Sequence, residues 1–194
     1  AAGVGTIGII DDDHVSLSNL QRQVVHGTKD VGRPKVESAR DAILDINPHT
    51  NVVIHEERLN ATNAQALICQ YDIVADGCDN FSTRFLVNDA CYFARVPLVS
   101  AAVGRFDGQL STFKGYERDA DDVPLPTYRD FIATMPPDGS IPTCEQAGVL
   151  GALTGVMGSL QALEVIKEIT GAGTGLAGKL LIYDALDARV RTIT

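Results

Sequence analysis

Thr6-Ile7-Gly8-Ile9-Ile10-Asp11 forms the first apolar run of the chain and closes it on an acid. Ser18-Asn19-Leu20-Gln21-Arg22-Gln23 follows, and Pro34-Lys35-Val36 then opens a helical pattern. A short β-branched run of this kind fits a strand. Val36, Ala39, Ile43 and Ile46 recur at three and four residues, with Pro34 suited to a first helical turn and Asn47-Pro48 ending the repeat. Asn51-Val52-Val53-Ile54-His55 is a second β-branched run. Strands alternating with helices imply parallel pairing.

The same alternation continues. Asp72 to Ala75 and Pro97 to Ser100 read as strands around a helix that starts at Asn80, a good N-cap residue, and runs to about Arg95, with Phe81, Phe85, Leu86 and Phe93 supplying its apolar surface. The two glycines of Gly104-Arg105-Phe106-Asp107-Gly108-Gln109 predict a hairpin or bend before Leu110 to Phe113. Tyr116 to Thr143, rich in proline and acids and without periodicity, reads as a long, partly mobile surface loop. A helix over about Gly148 to Thr170 carries Leu153, Val156, Leu160 and Leu163 on one stripe and ends at Gly171 to Gly175. Lys179 to Tyr183 and Arg189 to Ile193 read as final strands. The expected fold is therefore α/β: a Rossmann-like open sheet, parallel in its first part and antiparallel in its C-terminal part, with helices on both faces.

With 194 residues, 45% of them hydrophobic, the chain can bury a core of its own, and one domain over 1–194 is the default. A net charge of -9 and a pI near 4.8 argue against a general nucleic-acid binder. Cys69, Cys78, Cys91 and Cys144 stand apart with no CxxC pair, which fits neither a disulfide framework nor a zinc ribbon and suits a reduced, cytoplasmic setting. The apolar run Ala147 to Leu160 is too short for a bilayer, so neither a membrane nor nucleic acid is an expected partner.

Gly3-Val4-Gly5-Thr6-Ile7-Gly8 matches GxGxxG, but a dinucleotide fingerprint needs a strand before its glycines, whereas here Thr6 to Ile10 is itself the strand. The glycines fit a helix-to-strand turn that needs positive φ. Asp11 then sits at the carboxyl end of what behaves as the second strand of a nucleotide-binding unit, where an acid bonds ribose hydroxyls. On that reading a first strand, its phosphate loop and the start of a helix are expected ahead of Ala1. Asp12 and Asp13 read as solvated or capping, because successive residues of a strand face opposite ways.

Arg22 and Lys35 supply a planar fork of donors and a point charge, a combination suited to phosphate. Both also have the ordinary reading of surface charges. Asp79 and Asn80, in Ala75-Asp76-Gly77-Cys78-Asp79-Asn80, follow a strand end, where ligands of open α/β sheets gather and where an acid can hold Mg2+ beside phosphates. Helix capping is the plain alternative. Cys144 precedes a helix start, which can favour thiolate, although no histidine is near in sequence.

Together these segments resemble the ubiquitin-activating-like adenylyltransferases of sulfur-carrier pathways, the molybdopterin-synthase and thiamine-pathway group. The resemblance rests on IIDDDHVSLSNLQRQ at 9–23, GRPKVESAR at 32–40, DGCDNFSTR at 76–84, PLVSAAVGRFDGQLSTF at 97–113, CEQAGVLG at 144–151 and GSLQALEVIK at 158–167. It implies an enzyme that uses ATP and Mg2+ to adenylylate the C-terminal glycine of a small ubiquitin-like carrier, releasing pyrophosphate, and that works as a homodimer. Asp11, Ser18, Asn19, Leu20, Gln21, Arg22 and Lys35 would surround the nucleotide. Asp79, with Asn80, would lie near the metal and phosphates, Arg22, Lys35 and Asp79 would be catalytic, and Cys144 would be a candidate for thiol chemistry. Many relatives hold zinc through two CxxC pairs; the first would fall near Pro126-Thr127-Tyr128-Arg129-Asp130, which has no cysteine, so no structural zinc is expected. A non-catalytic carrier-binding relative, or an NAD-dependent oxidoreductase on the same fold type, are the other functions the sequence allows.

Overall fold

Strand β1 (Thr6–Ile10) and strand β2 (Asn51–His55) pair in parallel, in the register Thr6 with Asn51 through Ile10 with His55, and helix α1 (Lys35–Ile46) connects them. The computed structural model describes residues 1–137 and 148–194; Cys144 lies outside them. The described residues divide into two units, Ala1–Leu59 and Asn60–Thr194.

In the first unit, Pro34 occupies the N-cap of α1 and Asn47 its C-cap, as the breakers imply. Val36 and Ala39 of the apolar repeat are buried, whereas Ile46, in the last turn, is exposed. Of the amino-terminal glycines only Gly3 needs positive φ (93°), and Gly8 lies inside β1 opposite Val53.

The second unit starts with the short helix α2 (Ala64–Ile68), strand β3 (Val74–Asp76) and helix α3 (Phe81–Ala94). Strands β4 (Leu98–Val103) and β5 (Asp107–Phe113), helix α4 (Tyr128–Phe131), helix α5 (Gly151–Thr170) and strands β6 (Leu180–Asp184) and β7 (Arg189–Ile193) follow. The sheet order is β3-β4-β5-β6-β7, with β3 and β4 parallel and the later pairs antiparallel. The change from parallel to antiparallel expected from the sequence is therefore present, and the bend at Gly104 is the β4–β5 hairpin, closed by Gly104 N–H donating to Asp107 O at 2.8 Å. Among the described residues no helix is long and apolar enough to cross a membrane.

The core of this unit gathers Val99, Ala101 and Leu110 of the sheet with Leu153 and Met157 of α5 and Leu176. Burying each of the larger side chains contributes roughly 1.5–3 kcal/mol. Gly108 permits the close approach, because a Cβ there would collide with Sδ and Cγ of Met157. The face α5 turns inward is thus Leu153, Met157 and Glu164; Val156 and Leu163 of the expected stripe are exposed. Phe93 of α3, also expected inward, is exposed, while Phe85 is buried.

The described part of the expected surface loop, 116–137, is built rather than shapeless. Arg118 and Pro124 form a bridge, Leu125 N–H donates to Glu117 O at 2.9 Å, and α4 follows. Tyr128 anchors it, buried edge-on against Phe85 and Phe113, with its N–H donating to Asn88 Oδ1 at 2.9 Å. No periodicity signalled this, because the order comes from one aromatic and its partners.

Candidate functional site

The first unit positions its candidate residues by pairing the chain after β1 with the chain before α1. Val15 N–H donates to Arg33 O at 2.8 Å, Gly32 N–H to Val15 O at 2.9 Å and Lys35 N–H to Asp13 O at 2.9 Å, around a His14–Pro34 bridge. Val15 and Val36, both buried, pin the two sides. Residues 16–31 become a closed loop, and Lys35 arrives at the tip of β1. Its Nζ lies 2.8 Å from Asp13 Oδ2 and 3.9 Å from Asp11 Oδ2, with the side chain only 12% exposed.

Asp11 and Lys35, read from the sequence as neighbours on one ligand, are thus together. Asp13 belongs to the same group through Lys35 while its side chain stays exposed, as expected of a solvated acid. Alternation does not apply to these acids because they lie beyond the strand end: Asp13 N–H donates to Asp11 Oδ1 at 2.8 Å, and one oxygen from each of Asp11, Asp12 and Asp13 falls within 4.8 Å of the others. Lys35 already supplies positive charge to two of them.

The Ser18 to Gln23 segment forms successive turns. Leu17–Asn19 is a short 3-10 helix, Asn19 O accepts from the N–H groups of Arg22 and Gln23, and Arg22 Nη1 donates to Ser18 O at 2.9 Å. Ser18 and Gln21 are exposed, whereas Asn19, Leu20 and Arg22 are half-buried. Behind the loop, Asp30 accepts from Gly27 N–H and from Arg33, and Arg33 also reaches Asp41. The Gly27 N–H, with Arg33, holds the Asp30 carboxyl below the usual carboxylate range. His26 Nδ1 and Ser38 Oγ are 2.8 Å apart, and burial, seconded by the Lys35 charge, lowers the imidazole pKa. The sequence offered no sign of His26 or Asp30, since their partners lie on α1 and in the Arg33 turn.

In the second unit, Asp79 is exposed and its carboxylate has no hydrogen bond or ion pair among the described residues. Asn80 caps α3, its Oδ1 accepting from Thr83 N–H and Ser82 Oγ, both at 2.8 Å. The turn before it is tied to the sheet by residues that the sequence reading passed over. Asp76 Oδ1 accepts from Cys78 N–H at 2.9 Å, Asp76 Oδ2 accepts from Ser100 Oγ at 3.0 Å, and Arg84 donates to the carbonyls of Cys78 and of Ala101. Gln161 of α5 donates to Asp76 O at 2.8 Å and Val99 O at 2.9 Å. Asp76, Arg84 and Gln161 stand inside the motif runs DGCDNFSTR and GSLQALEVIK, which is the one signal that could have found them. Burial pushes the Cys78 thiol well above its ordinary range and the Cys91 thiol up to about 12, so neither is a thiolate.

Where the resemblance expects a cysteine pair, Thr127 and Asp130 close a reciprocal capping box on α4. Arg129 of that turn pairs with both Asp89 oxygens, at 2.8 and 2.5 Å, and lies over the Phe85 ring. With its acid and hydroxyl committed to each other, this turn does not fit a zinc ligand pair.

Asp79, exposed and without a hydrogen bond or ion pair among the described residues, is a hard oxygen group of the kind that Mg2+ takes alongside substrate phosphates.

A profile described as the ThiF family matches residues 1–194. The chain is 52% identical over 194 residues to the probable adenylyltransferase/sulfurtransferase MoeZ of Mycobacterium tuberculosis, covering 100% of this chain and 49% of that protein. It is 44% identical over 194 residues to the sulfur carrier protein adenylyltransferase of Thermus thermophilus, covering 100% of this chain and 71% of that protein. It thus spans about half the length of the Mycobacterium relative. Among solved structures, E. coli MccB with ATP superposes with a TM-score of 0.81 at 21% identity, covering 100% of this chain and 57% of that one, a likeness of fold.

Proposed function

The chain belongs to the ThiF family, and from that premise we propose that it acts as an ATP-dependent adenylyltransferase on the C-terminal glycine of a small ubiquitin-like sulfur carrier. The observation that carries the reading is the family match along the whole chain, with named relatives whose activity is adenylyl transfer. In the reaction a carboxylate oxygen of the carrier bonds to the α-phosphorus of ATP as the bond to the bridging oxygen breaks. The products are an acyl-adenylate and pyrophosphate.

The nucleotide part of the proposal assigns Asp11 to the ribose hydroxyls, the Ser18 to Arg22 turns to the nucleotide, and Arg22 and Lys35 to phosphate charge. Chemistry of this kind is carried mainly by positioning and charge stabilisation. Lys35 is suited to it because its ammonium is held at the strand tip by acids rather than spread into solvent. Asp79, with Asn80 fixing the backbone beside it, is the proposed Mg2+ ligand; the ion, when bound, neutralises phosphate charge. Cys144 is assigned no part in adenylate formation, and a Cys144→Ser variant keeps that step.

A second copy of the chain is also proposed as a partner. Val156 and Leu163, seven residues apart on one side of α5 and both exposed, are the surface we assign to it.

The test of the activity is carrier-dependent exchange of labelled pyrophosphate into ATP by the intact natural protein. Exchange that requires a ubiquitin-like carrier with a free C-terminal glycine is the expected result. Absence of exchange with every such carrier supports a non-catalytic carrier-binding relative instead.

A further inference from the structure

We infer that Asp76 and Arg84 are positioning residues that hold the Asp79 carboxylate for a divalent cation, an inference that rests on the assignment of Asp79 given above. The Cys78 peptide, one residue ahead of Asp79, is gripped from both sides. Its N–H donates to Asp76 Oδ1 at 2.9 Å, and its carbonyl accepts from Arg84. Neither grip is free to drift. Arg84 Nη1 also donates to Ala101 O at 3.1 Å and lies 4.0 Å from Asp76 Oδ2, while Ser100 Oγ holds that same oxygen at 3.0 Å. Gln161 fixes the Asp76 backbone through its carbonyl. On the other side of Asp79, the Asn80 cap binds the backbone to the first turn of α3.

The energetics favour a reason beyond stability. Asp76 and Arg84 are only 6% and 9% exposed, and a buried ion pair of this kind is often no better for stability than apolar side chains of similar size. What the pair provides is a turn whose main chain is over-determined while the next side chain, Asp79, is exposed and has no partner among the described residues. A fixed backbone under a free carboxylate is what a metal ligand requires, since its productive geometry must survive without ion or substrate.

Groups that orient a metal ligand typically change metal affinity about 10- to 100-fold when removed. In the intact natural protein, Arg84→Gln is therefore expected to raise the Mg2+ concentration for half-maximal pyrophosphate exchange by about tenfold or more, with much of the rate recovered at saturating Mg2+. Amide hydrogen exchange is expected to accelerate in residues 77–80 and to stay unchanged in the middle of α3, a readout that needs no turnover. The double variant Arg84→Gln with Asp79→Ala is expected to lose no more exchange activity than Asp79→Ala alone. Should Arg84→Gln not fold, Asp76→Asn takes its place in all three measurements, since it keeps an acceptor for Cys78 N–H but loses the charge facing Arg84.

An unchanged Mg2+ dependence in a folded Arg84 or Asp76 variant, or additive losses in the double variant, overturns the inference while leaving Asp79 as ligand. Unchanged Mg2+ dependence in Asp79→Ala overturns the assignment of Asp79, and the positioning role with it.

Discussion

Lys35 Nζ stands 2.8 Å from Asp13 Oδ2, although 22 residues separate them, and the ammonium is far less exposed than the carboxylate that holds it. An ion pair with one partner largely in water adds little to stability, so the value of this lysine should show in activity. Lys35→Ala is expected to lower pyrophosphate exchange by about 100-fold or more while the thermal midpoint hardly moves. A matched loss of folding would mean that the pair is a structural tie.

His26 should make the first unit sensitive to mild acid. Burial, then the Lys35 charge, hold its pKa below the ordinary value despite Asp30 and Asp11 pulling the other way. The unfolded chain therefore takes up the proton at a higher pH than the folded one, near 6.5. Stability falls as pH drops through that value and levels off below the folded pKa. Urea midpoints between pH 7.5 and pH 5 should show this decline, and His26→Asn should flatten it.

Glu164 sits 1% exposed inside the second unit, accepting from Thr112 Oγ1 at 3.1 Å and from Leu176 N–H, and pairing with Lys167. Replacing it by alanine leaves a buried hydroxyl and a buried N–H without their acceptor. A loss of about 3 kcal/mol in urea unfolding is expected for Glu164→Ala, in line with breaking a buried charged network. Glu164→Gln, which keeps an acceptor oxygen, should lose clearly less.

Asp130 offers a milder test. Its carboxylate accepts from Thr127 N–H at 2.8 Å and Thr127 Oγ1 at 2.7 Å, and these bonds, the N–H first, lower its pKa. Asp130→Ala should cost about 1 kcal/mol at neutral pH, the usual worth of a cap. A depressed carboxylate contributes stability above its unfolded pKa and loses it as pH falls through the folded value. The difference between wild type and Asp130→Ala in urea midpoint should therefore shrink between pH 5 and pH 2.

Much of this architecture was readable in the chain, and the exceptions share a cause. The β1–α1–β2 crossover, the Asn80 cap and the Gly104 bend all depend on neighbours close in sequence, and each is where the residues put it. The inward face of α5 was not readable, because Val156, Met157, Leu160 and Leu163 leave a helix with apolar residues on several sides. Which side turns inward is decided by Gly108, a strand residue with room for Met157. The Asp13–Lys35 pair was hidden for a similar reason: it forms only once 13–15 lies beside 33–35. Asp76 looked like one more strand-end acid until Arg84, Ser100 and Gln161 closed around it.

Strand β7 lies at the end of the five-stranded order, and every one of its residues is exposed, Val190 and Ile193 included. Such a margin invites stacking of identical molecules into ribbons. Arg189 and Arg191 point to the same side, so two antiparallel copies meeting there would set guanidinium against guanidinium. Protein in concentrated solution should accordingly resist fibrous precipitation until salt screens those charges or both arginines are neutralised.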